Sequence, residues 1–429
     1  MLDVFTFMDL LKGYNTKVDD RFSIHIAEDN QEELNALVNL NVEIHNQVLL
    51  KSYIREIFMR HPRKDDILWL YIKDNEKNKL VSSICLVPLE WQINNTILPG
   101  CEMEFVGTHE DYRGRGYIKI LNELYEKIME QNGYIISVIR GIPYYYRSLG
   151  YEFVSSLDER IEIPVAKIPI RKIKLHIRKA NSKDIPLIES RYNHFHKKFY
   201  IFNRFDKECF EFKYLRDNFN SEVRSSYIFE KRGISTNYFS IGMSYDNMNY
   251  EVFCPSNDKK EMLALLQFIK NLGRYSKQDN ITLSINHHSP LFSYLKSLGG
   301  ILVSDYGWQV KIPNLKLFFN LIKKIIEFRL EHSEYNEITK KVRLSNYLDC
   351  IEMDFEKGKI KNSETIKGYQ EVELIDLQLP GAFIFKIILG ERTIDEINYI
   401  IKDANVNPKS KDLINTIFPK KKTLFDTYI

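Results

Sequence analysis

The chain has 429 residues, 44% hydrophobic and 28% charged, and a net charge of only +3; it is long enough for two to four full cores, and it lacks the broad basic field that nucleic-acid binding needs. The compact basic run Lys420–Lys422 reads as a solvated loop, and Cys85, Cys101, Cys209, Cys254 and Cys350 are odd in number and scattered without a C-x-x-C, which excludes a disulfide framework and a cysteine metal site and implies a reduced, cytoplasmic protein. With no run of about 18 apolar residues and no basic-then-apolar start, neither a membrane span nor a signal peptide is expected.

Residues 1–20 read as an appended arm. Phe22, Ile24 and Ile26 alternate as a strand, after which Asp29 or Asn30 can cap a helix whose buried stripe carries Leu34, Leu37 and Val38. Ile67–Ile72 and Leu80–Val87 are strand-like runs joined by a polar hairpin turn, and Glu104–Thr108 is a further strand. Arg113, Gly114, Arg115 and Gly116 then separate that strand from a helix starting at Tyr117. Ile118, Leu121, Leu124, Tyr125 and Ile128 mark the helix at helical spacing, and it ends near Asn132–Gly133. Such a turn can hold an anion: its glycines admit close backbone approach, the first helical N–H groups lack partners, and the helix dipole favours negative charge there. Tyr134–Ile139 reads as a short buried strand, and Tyr144–Tyr146 lead into Arg147-Ser-Leu-Gly-Tyr151. The order is β-α-β-β-β-α-β.

The next segment repeats the first. Ile24-His-Ile26, with Leu34 and Leu37, recurs as Leu175-His-Ile177, with Ile185 and Ile188; Tyr145–Gly150 recurs as Tyr294–Gly299. Both matches have an offset of about 150 residues, which points to an internal copy. The copy has no arginine-glycine turn before its helix near Glu261–Leu272, and Leu295 stands where Tyr146 stands. A third segment opens with a helix carrying Leu315, Phe318, Phe319, Ile322, Ile325 and Ile326. Strand-like runs follow at Val342–Tyr347, Ile351–Phe355 and Val372–Leu377, then helices at Ala382–Leu389 and Thr393–Ile401 and a docked tail.

The segment from Glu104 to Tyr151 resembles the acyl-CoA signature of the GCN5-related N-acetyltransferases (GNAT). Arg113 and Gly116 meet the pattern [RQ]-x-x-G-x-[GA], with a departure at Ile118, and Tyr146-Arg-Ser-Leu-Gly-Tyr151 is similar to the second signature, Y-x-x-x-G-[FY]. LPGAFIFKIILGERTIDEI and the ending IFPKKKTLFDTYI resemble the sterol-carrier-like domain that closes three-domain Eis-type enzymes. The resemblance implies an α+β or α/β architecture of two tandem GNAT folds, each a mixed sheet flanked by helices, then a sterol-carrier-like domain: residues 21–165 catalytic, 166–311 degenerate, 312–429 C-terminal. The implied activity is acetyl-CoA-dependent N-acetylation of an aminoglycoside-like or polyamine-like small molecule, or of a lysine side chain, by direct attack on the thioester.

In that resemblance Val106 and Thr108 hold the thioester and pantetheine arm, Arg113, Gly114, Arg115, Gly116, Tyr117 and Ile118 take the pyrophosphate, and Gly141 with Ile142 lines the pantetheine side. Tyr146 is the general acid, and its phenol, with an unperturbed pKa of about 10, suits a departing thiolate. The base is the terminal carboxylate of Ile429 or, in competition, Glu104. A homo-oligomer, a hexamer among the options, is also implied. The histidines His109, His194, His196, His287 and His288 show no metal-ligand spacing, and no metal is expected. The alternative function is a non-enzymatic module whose C-terminal domain binds an apolar ligand or partner. The intact Arg113–Gly116 turn and Tyr146 favour the enzyme.

Overall fold

The structure is a computed structural model and describes residues 10–156, 158–215, 224–243, 249–273, 275, 277–304, 307–367 and 371–426. Its first part runs β1 (Asn15–Lys17), β2 (Phe22–Ile26), α1 (Gln31–His45), α2 (Leu50–Arg60), β3 (Leu68–Asp74), β4 (Lys79–Ile93), β5 (Thr96–Thr108), α3 (Tyr117–Gln131), β6 (Ile136–Ile139), β7 (Glu152–Ser156) and β8 (Asp158–Pro164). Strand alternation sorts the core onto two faces. Trp69, Tyr71, Cys85 and Val87 pack under α1 and α2, whereas Leu70, Ile72, Ile84 and Leu86 pack under α3. Asn30 caps α1 by accepting from the Glu33 N–H at 2.9 Å. β1, within the arm, pairs antiparallel with β2. α2 is absent from the sequence reading, and the runs at Leu80–Val87 and Glu104–Thr108 are parts of one long hairpin, β4–β5.

The second part comprises β9 (His176–Lys179), α4 (Ile185–His196), β10 (Ile201–Arg204), α5 (Lys207–Tyr214), β11 (Ser225–Lys231), β12 (Ile234–Met243), β13 (Asn249–Phe253), α6 (Lys259–Leu272), β14 (Asn280–Asn286), α7 (Pro290–Ser297), β15 (Ile301–Ser304) and β16 (Gly307–Lys311). The two sheets have matching strand orders. The first runs β2-β3-β4-β5-β6-β16-β7, with β1 beyond β2, and the second runs β9-β11-β12-β13-β14-β8-β15. In both, one step is parallel, β5 to β6 and β13 to β14.

The corresponding penultimate strands are exchanged: β16 lies between β6 and β7 in the first sheet, and β8 between β14 and β15 in the second. Gly150 and Gly299, the paired glycines of the sequence repeat, both have positive φ (+86° and +89°), and each faces a lysine, Lys311 and Lys167 respectively.

The third part holds α8 (Leu315–Glu331), β17 (Lys340–Ser345), β18 (Asp349–Glu356), β19 (Lys359–Lys367), β20 (Leu377–Gln378), α9 (Ile384–Ile388), α10 (Ile394–Ile400), β21 (Asn405–Val406) and α11 (Lys411–Ile417). Its sheet order is β19-β18-β17-β20-β21. The strand expected at Val372–Leu377 is instead a 3-10 turn at Val372–Leu374, and only Leu377 and Gln378 pair. Val372 and Leu374 are exposed there, so their apolar character does not reflect a core position.

After α11 the tail returns to the first two parts. The Leu424 N–H donates to Ile201 O at 3.1 Å, and Phe425 stacks on Trp91 with ring centroids 3.9 Å apart. Among the described residues no helix is long and apolar enough to cross a membrane.

The exchange makes residues 10–164 an incomplete unit. Without β16 they lose the buried Trp308 and Val310, at roughly 1.5–3 kcal/mol per large apolar side chain, a serious fraction of a domain stability of about 5–15 kcal/mol. They also gain open edges on β6 and β7. A fragment ending at Pro164 is therefore expected to aggregate or to melt without a cooperative transition, whereas residues 10–311 melt cooperatively; calorimetry checks both.

His196 is fully buried against Tyr192 (ring centroids 3.6 Å), and its Nδ1–H donates to Tyr192 O at 2.8 Å. Burial pushes its pKa down to about 4. Because the unfolded imidazole titrates near 6.5, the unfolded chain binds the extra proton first, so stability falls as pH drops from about 6.5 to about 4 and levels below that. His196→Gln should flatten this part of the pH–stability curve in denaturant titrations.

Candidate active site

The site begins with a defect in the β4–β5 ladder. Pairing steps from Ser83 with Gly107 to Cys85 with Glu104, which leaves Phe105 and Val106 outside the register, with Phe105 at φ +50°. Such a bulge turns a strand locally. The Phe105 ring stacks on Trp69 at 5.0 Å and anchors the bend. On the other side β5 pairs with β6 only through Gly100, Cys101 and Glu102, and beyond them the two strands part.

A cleft of about 1210 Å³ opens between the ends of β5 and β6 and reaches the head of α3. Its walls include Val106, Thr108, Arg113, Gly114, Arg115, Gly116, Tyr117, Ile118, Gly141, Ile142 and Tyr146. The structure thus brings together every site residue singled out in the sequence except Ile429, which lies outside the described residues.

At the head of α3, Gly114 and Gly116 have φ of +77° and +78°, and a Cβ on either would meet nothing within 4 Å. Gly116 is the N-cap and has no side chain to occupy the first helical N–H groups. Arg113 Nε donates to Thr108 O at 3.2 Å, while the Arg115 guanidinium lies over the Tyr112 ring at 5.3 Å. Both arginines are thereby held at the turn. Ile118, the departure from the signature, is buried in the α3 core, so its side chain does not close the turn. Positively charged through its arginines, open at its two glycines and placed at a helix N-terminus, the turn fits a phosphate-bearing ligand.

At the far wall Tyr146 sits in a 3-10 turn, 6% exposed, with its ring edge-on to Tyr145 and Tyr151. A Cβ on Gly141 would lie 2.0 Å from the Tyr146 ring, so glycine is required there. The exchanged strand supports this wall: Gln309 on β16 donates to Gly141 O at 2.7 Å. Tyr144, at φ +72°, makes the sharp entry to the turn.

Further residues of the cleft were missed by sequence reasoning. Arg140 donates to Glu104 at 2.8 Å and lies 3.4 Å from Glu102. Burial alone would lower its pKa, but Glu104 and Glu102 outweigh burial and keep it charged. Its place directly before Gly141 was the available signal. Arg160, on the exchanged β8, and His45, at the end of α1, also line the cleft; nothing in their sequence neighbourhood marked them.

The tail stands beside this site. Leu424, Phe425 and Asp426 line a small cavity of about 190 Å³ that shares Arg140 and Arg160 with the cleft. The Asp426 N–H donates to Asn203 Oδ1 at 3.0 Å, and its carboxylate pairs with Lys213 at 3.2 Å. Burial would raise the Asp426 pKa, yet Lys213, Arg224 and His196 hold it below the usual range. Among the described residues no group of His, Cys, Asp and Glu side chains could hold a metal.

Residues 25–154 match the family model described as an acetyltransferase (GNAT) domain. Over that stretch, less than half of the chain, the sequence is similar to this domain. A probable N-acyltransferase from Enterococcus faecalis V583, of unknown function, superposes with a TM-score of 0.66 at 14% identity, covering 95% of this chain and 100% of its own. A GCN5-related N-acetyltransferase from Anabaena variabilis gives 0.64 at 16% identity (94% and 99% covered), and Eis1 from Mycobacterium abscessus gives 0.57 at 11% (94% and 99%). At these identities the likeness is one of fold. No curated protein sequence matches the chain.

A side chain at position 116 would meet a left-handed backbone, at roughly 1–2 kcal/mol, and would project into the open turn. With coenzyme A as the phosphate-bearing probe, Gly116→Val should weaken binding at least tenfold in calorimetric titration while the protein stays folded.

Proposed function

We propose that the protein is an acetyl-CoA-dependent N-acetyltransferase acting on a primary amine of a small molecule, aminoglycoside-like or polyamine-like, or on a lysine side chain. The observation that carries this reading is the open Gly114–Gly116 turn at the head of α3, continuous through the parted β5 and β6 with Tyr146. Acetyl-CoA bound there supplies the thioester and its acyl group. Arg113, Arg115 and the first N–H groups of α3 neutralise the pyrophosphate. The bulge supports a role for the Val106 backbone N–H as donor to the developing oxyanion, since it turns Val106 out of the regular β4–β5 register where that strand lines the cleft. Thr108, fixed by a 2.8 Å hydrogen bond to Ser82, and Gly141 with Ile142 flank the pantetheine path. Tyr146 gives its phenolic proton to the departing thiolate.

For the base, docking of the tail supports the Ile429 carboxylate: Phe425 stacks on Trp91, Asp426 bonds Asn203, both line a cavity with Arg140 and Arg160, and Asp426 stands three residues before position 429. Glu104 is engaged by Arg140, which favours a structural role for it. A cytoplasmic setting accords with five cysteines that are all buried and unpaired. We read the C-terminal part as sterol-carrier-like and the protein as a homo-oligomer, on the sequence resemblance.

The test is thiol release from acetyl-CoA with a panel of amines. Amine-dependent release is expected, lowered by about 100-fold or more in Tyr146→Phe and lowered also in a chain lacking Ile429. Absence of acetyl-CoA binding would sink the enzyme reading and leave the binding-module alternative.

A further inference from the structure

The acyl donor of the reading above carries a pyrophosphate and, one ribose away, a separate phosphate on the 3′-hydroxyl. The two arginines at the head of α3 are held by different neighbours. Arg113 is tied to Thr108 O at the end of β5. Arg115 is folded toward β2, with its guanidinium over the Tyr112 ring at 5.3 Å and the Phe22 ring at 6.0 Å.

Tyr112 is the fixed pillar of this arrangement. It is buried, its ring meets Phe22 edge-on at 6.1 Å, and its hydroxyl donates to Asp74 Oδ2 at 2.9 Å. Asp74 is gripped in turn by Arg21, whose Nη2 and Nε donate to it at 2.6 and 3.1 Å. A second cation comes to the same ring from the β3–β4 hairpin: Lys77 Nζ stands 5.6 Å from the Tyr112 centroid, and the Lys77 N–H donates to Asp74 Oδ1 at 3.2 Å. Cation–π attraction holds both side chains on the ring.

Two like charges are thus gathered at one aromatic ring with nothing of opposite sign between them. Among the described residues neither Lys77 nor Arg115 forms an ion pair. The two carboxylates of the hairpin, Asp74 and Glu76, are both taken by Arg21. Asp19, from the loop before β2, accepts from the Arg21 and Phe22 N–H groups at 2.8 Å each. Lys77 and Arg115 are exposed, and Arg115 also lines the cleft.

We infer that Lys77 and Arg115 form a subsite for the 3′-phosphate of coenzyme A, an assignment that rests on the acyl-transfer reading. Arg115, at the turn, borders the pyrophosphate as well, whereas Lys77 belongs to the 3′-phosphate alone. A phosphate monoester carries about −1.5 to −2 charge at pH 7, and here it gains two charge-assisted contacts without displacing a carboxylate. Because the ring already restrains both side chains, little further ordering is needed to make those contacts. The subsite selects the form of the donor. Coenzyme A thioesters carry the 3′-phosphate, and an acyl group on a protein-borne phosphopantetheine arm does not.

The test is calorimetric titration of the full chain at low salt with two probes, coenzyme A and 3′-dephospho-coenzyme A. Parent protein should prefer coenzyme A about tenfold or more. Lys77→Gln should bind coenzyme A about fivefold more weakly, with its affinity for the dephospho form unchanged. Lys77→Arg should keep the preference, and Arg115→Gln should weaken both probes and narrow the gap between them. Lys77 is an exposed hairpin residue, so its replacement leaves the fold intact. A preference that survives in either glutamine variant overturns the inference. So does Lys77→Gln weakening both probes equally, which would report only a general loss of positive field. Parent protein that binds both probes within about twofold overturns this inference and leaves the acyl-transfer reading standing. Parent protein that binds neither probe overturns that reading and this inference with it.

Discussion

The exchange of β8 and β16 is the constraint on which the rest of the structure depends. Each sheet is closed by a strand from the other half of the chain, so neither core is complete alone. The consequences reach the site directly. Gln309 on β16 holds the carbonyl of Gly141, whose missing side chain makes room for the Tyr146 ring, and Trp308 lies under the Arg140 guanidinium at 5.6 Å. β8 in turn carries Arg160 to the cleft wall. A family match confined to residues 25–154 therefore covers the turn and the tyrosine but not the strand that fixes the tyrosine wall.

The cleft itself is two strands failing to pair. Gly100 lets β5 and β6 approach so closely that a Cβ would lie 2.5 Å from Ile136 Cγ2, and at Phe105 and Val106 the bulge swings β5 away. Unpaired backbone in a protein interior is costly unless a partner or solvent satisfies it. The gap is open to solvent, and its walls keep that opening rigid: Phe105 is pinned by Trp69 on one face, and Ile44 by Gly107 near the other end. An opening with walls pinned in this way needs little ordering of its own before a ligand enters.

Local chemistry was legible in the sequence where it depends on adjacent residues. The Arg113–Gly116 turn, the α3 stripe, the Tyr146–Tyr151 turn and the repeat at Tyr294–Gly299 are all short-range patterns, and all appear where the spacing puts them. What pairs with what at long range was not legible. Residues 152–164 carry no element in the sequence reading, and alternation alone cannot say that β7 and β8 enter different sheets. β19 escaped because few of its side chains are buried, among them Ile360 and Ser363, so it carries no apolar alternation. Val372–Leu377 had the apolar character and lacked the neighbour. His45 and Arg160 are single residues brought to the cleft by a helix end and an exchanged strand, which no spacing rule encodes.

The second sheet shows why one architecture yields a site in one half and none of this kind in the other. α6 occupies the place of α3, but Asp258 caps it and accepts from the Lys260 N–H at 2.7 Å, so a carboxylate of the chain already sits at its N-terminus. A second anion there would meet that negative charge and find fewer unpaired N–H groups. Likewise Leu295, the counterpart of Tyr146, is fully buried in the core with no proton to give. This half contributes surface beside the cleft: Arg224, Glu251 and Asn286 join Arg140, Arg160 and the tail around the small cavity. The second half is thus part of the wall against which Leu424, Phe425 and Asp426 are packed, and the position of those residues relative to the cleft is set by strands that the two halves have traded.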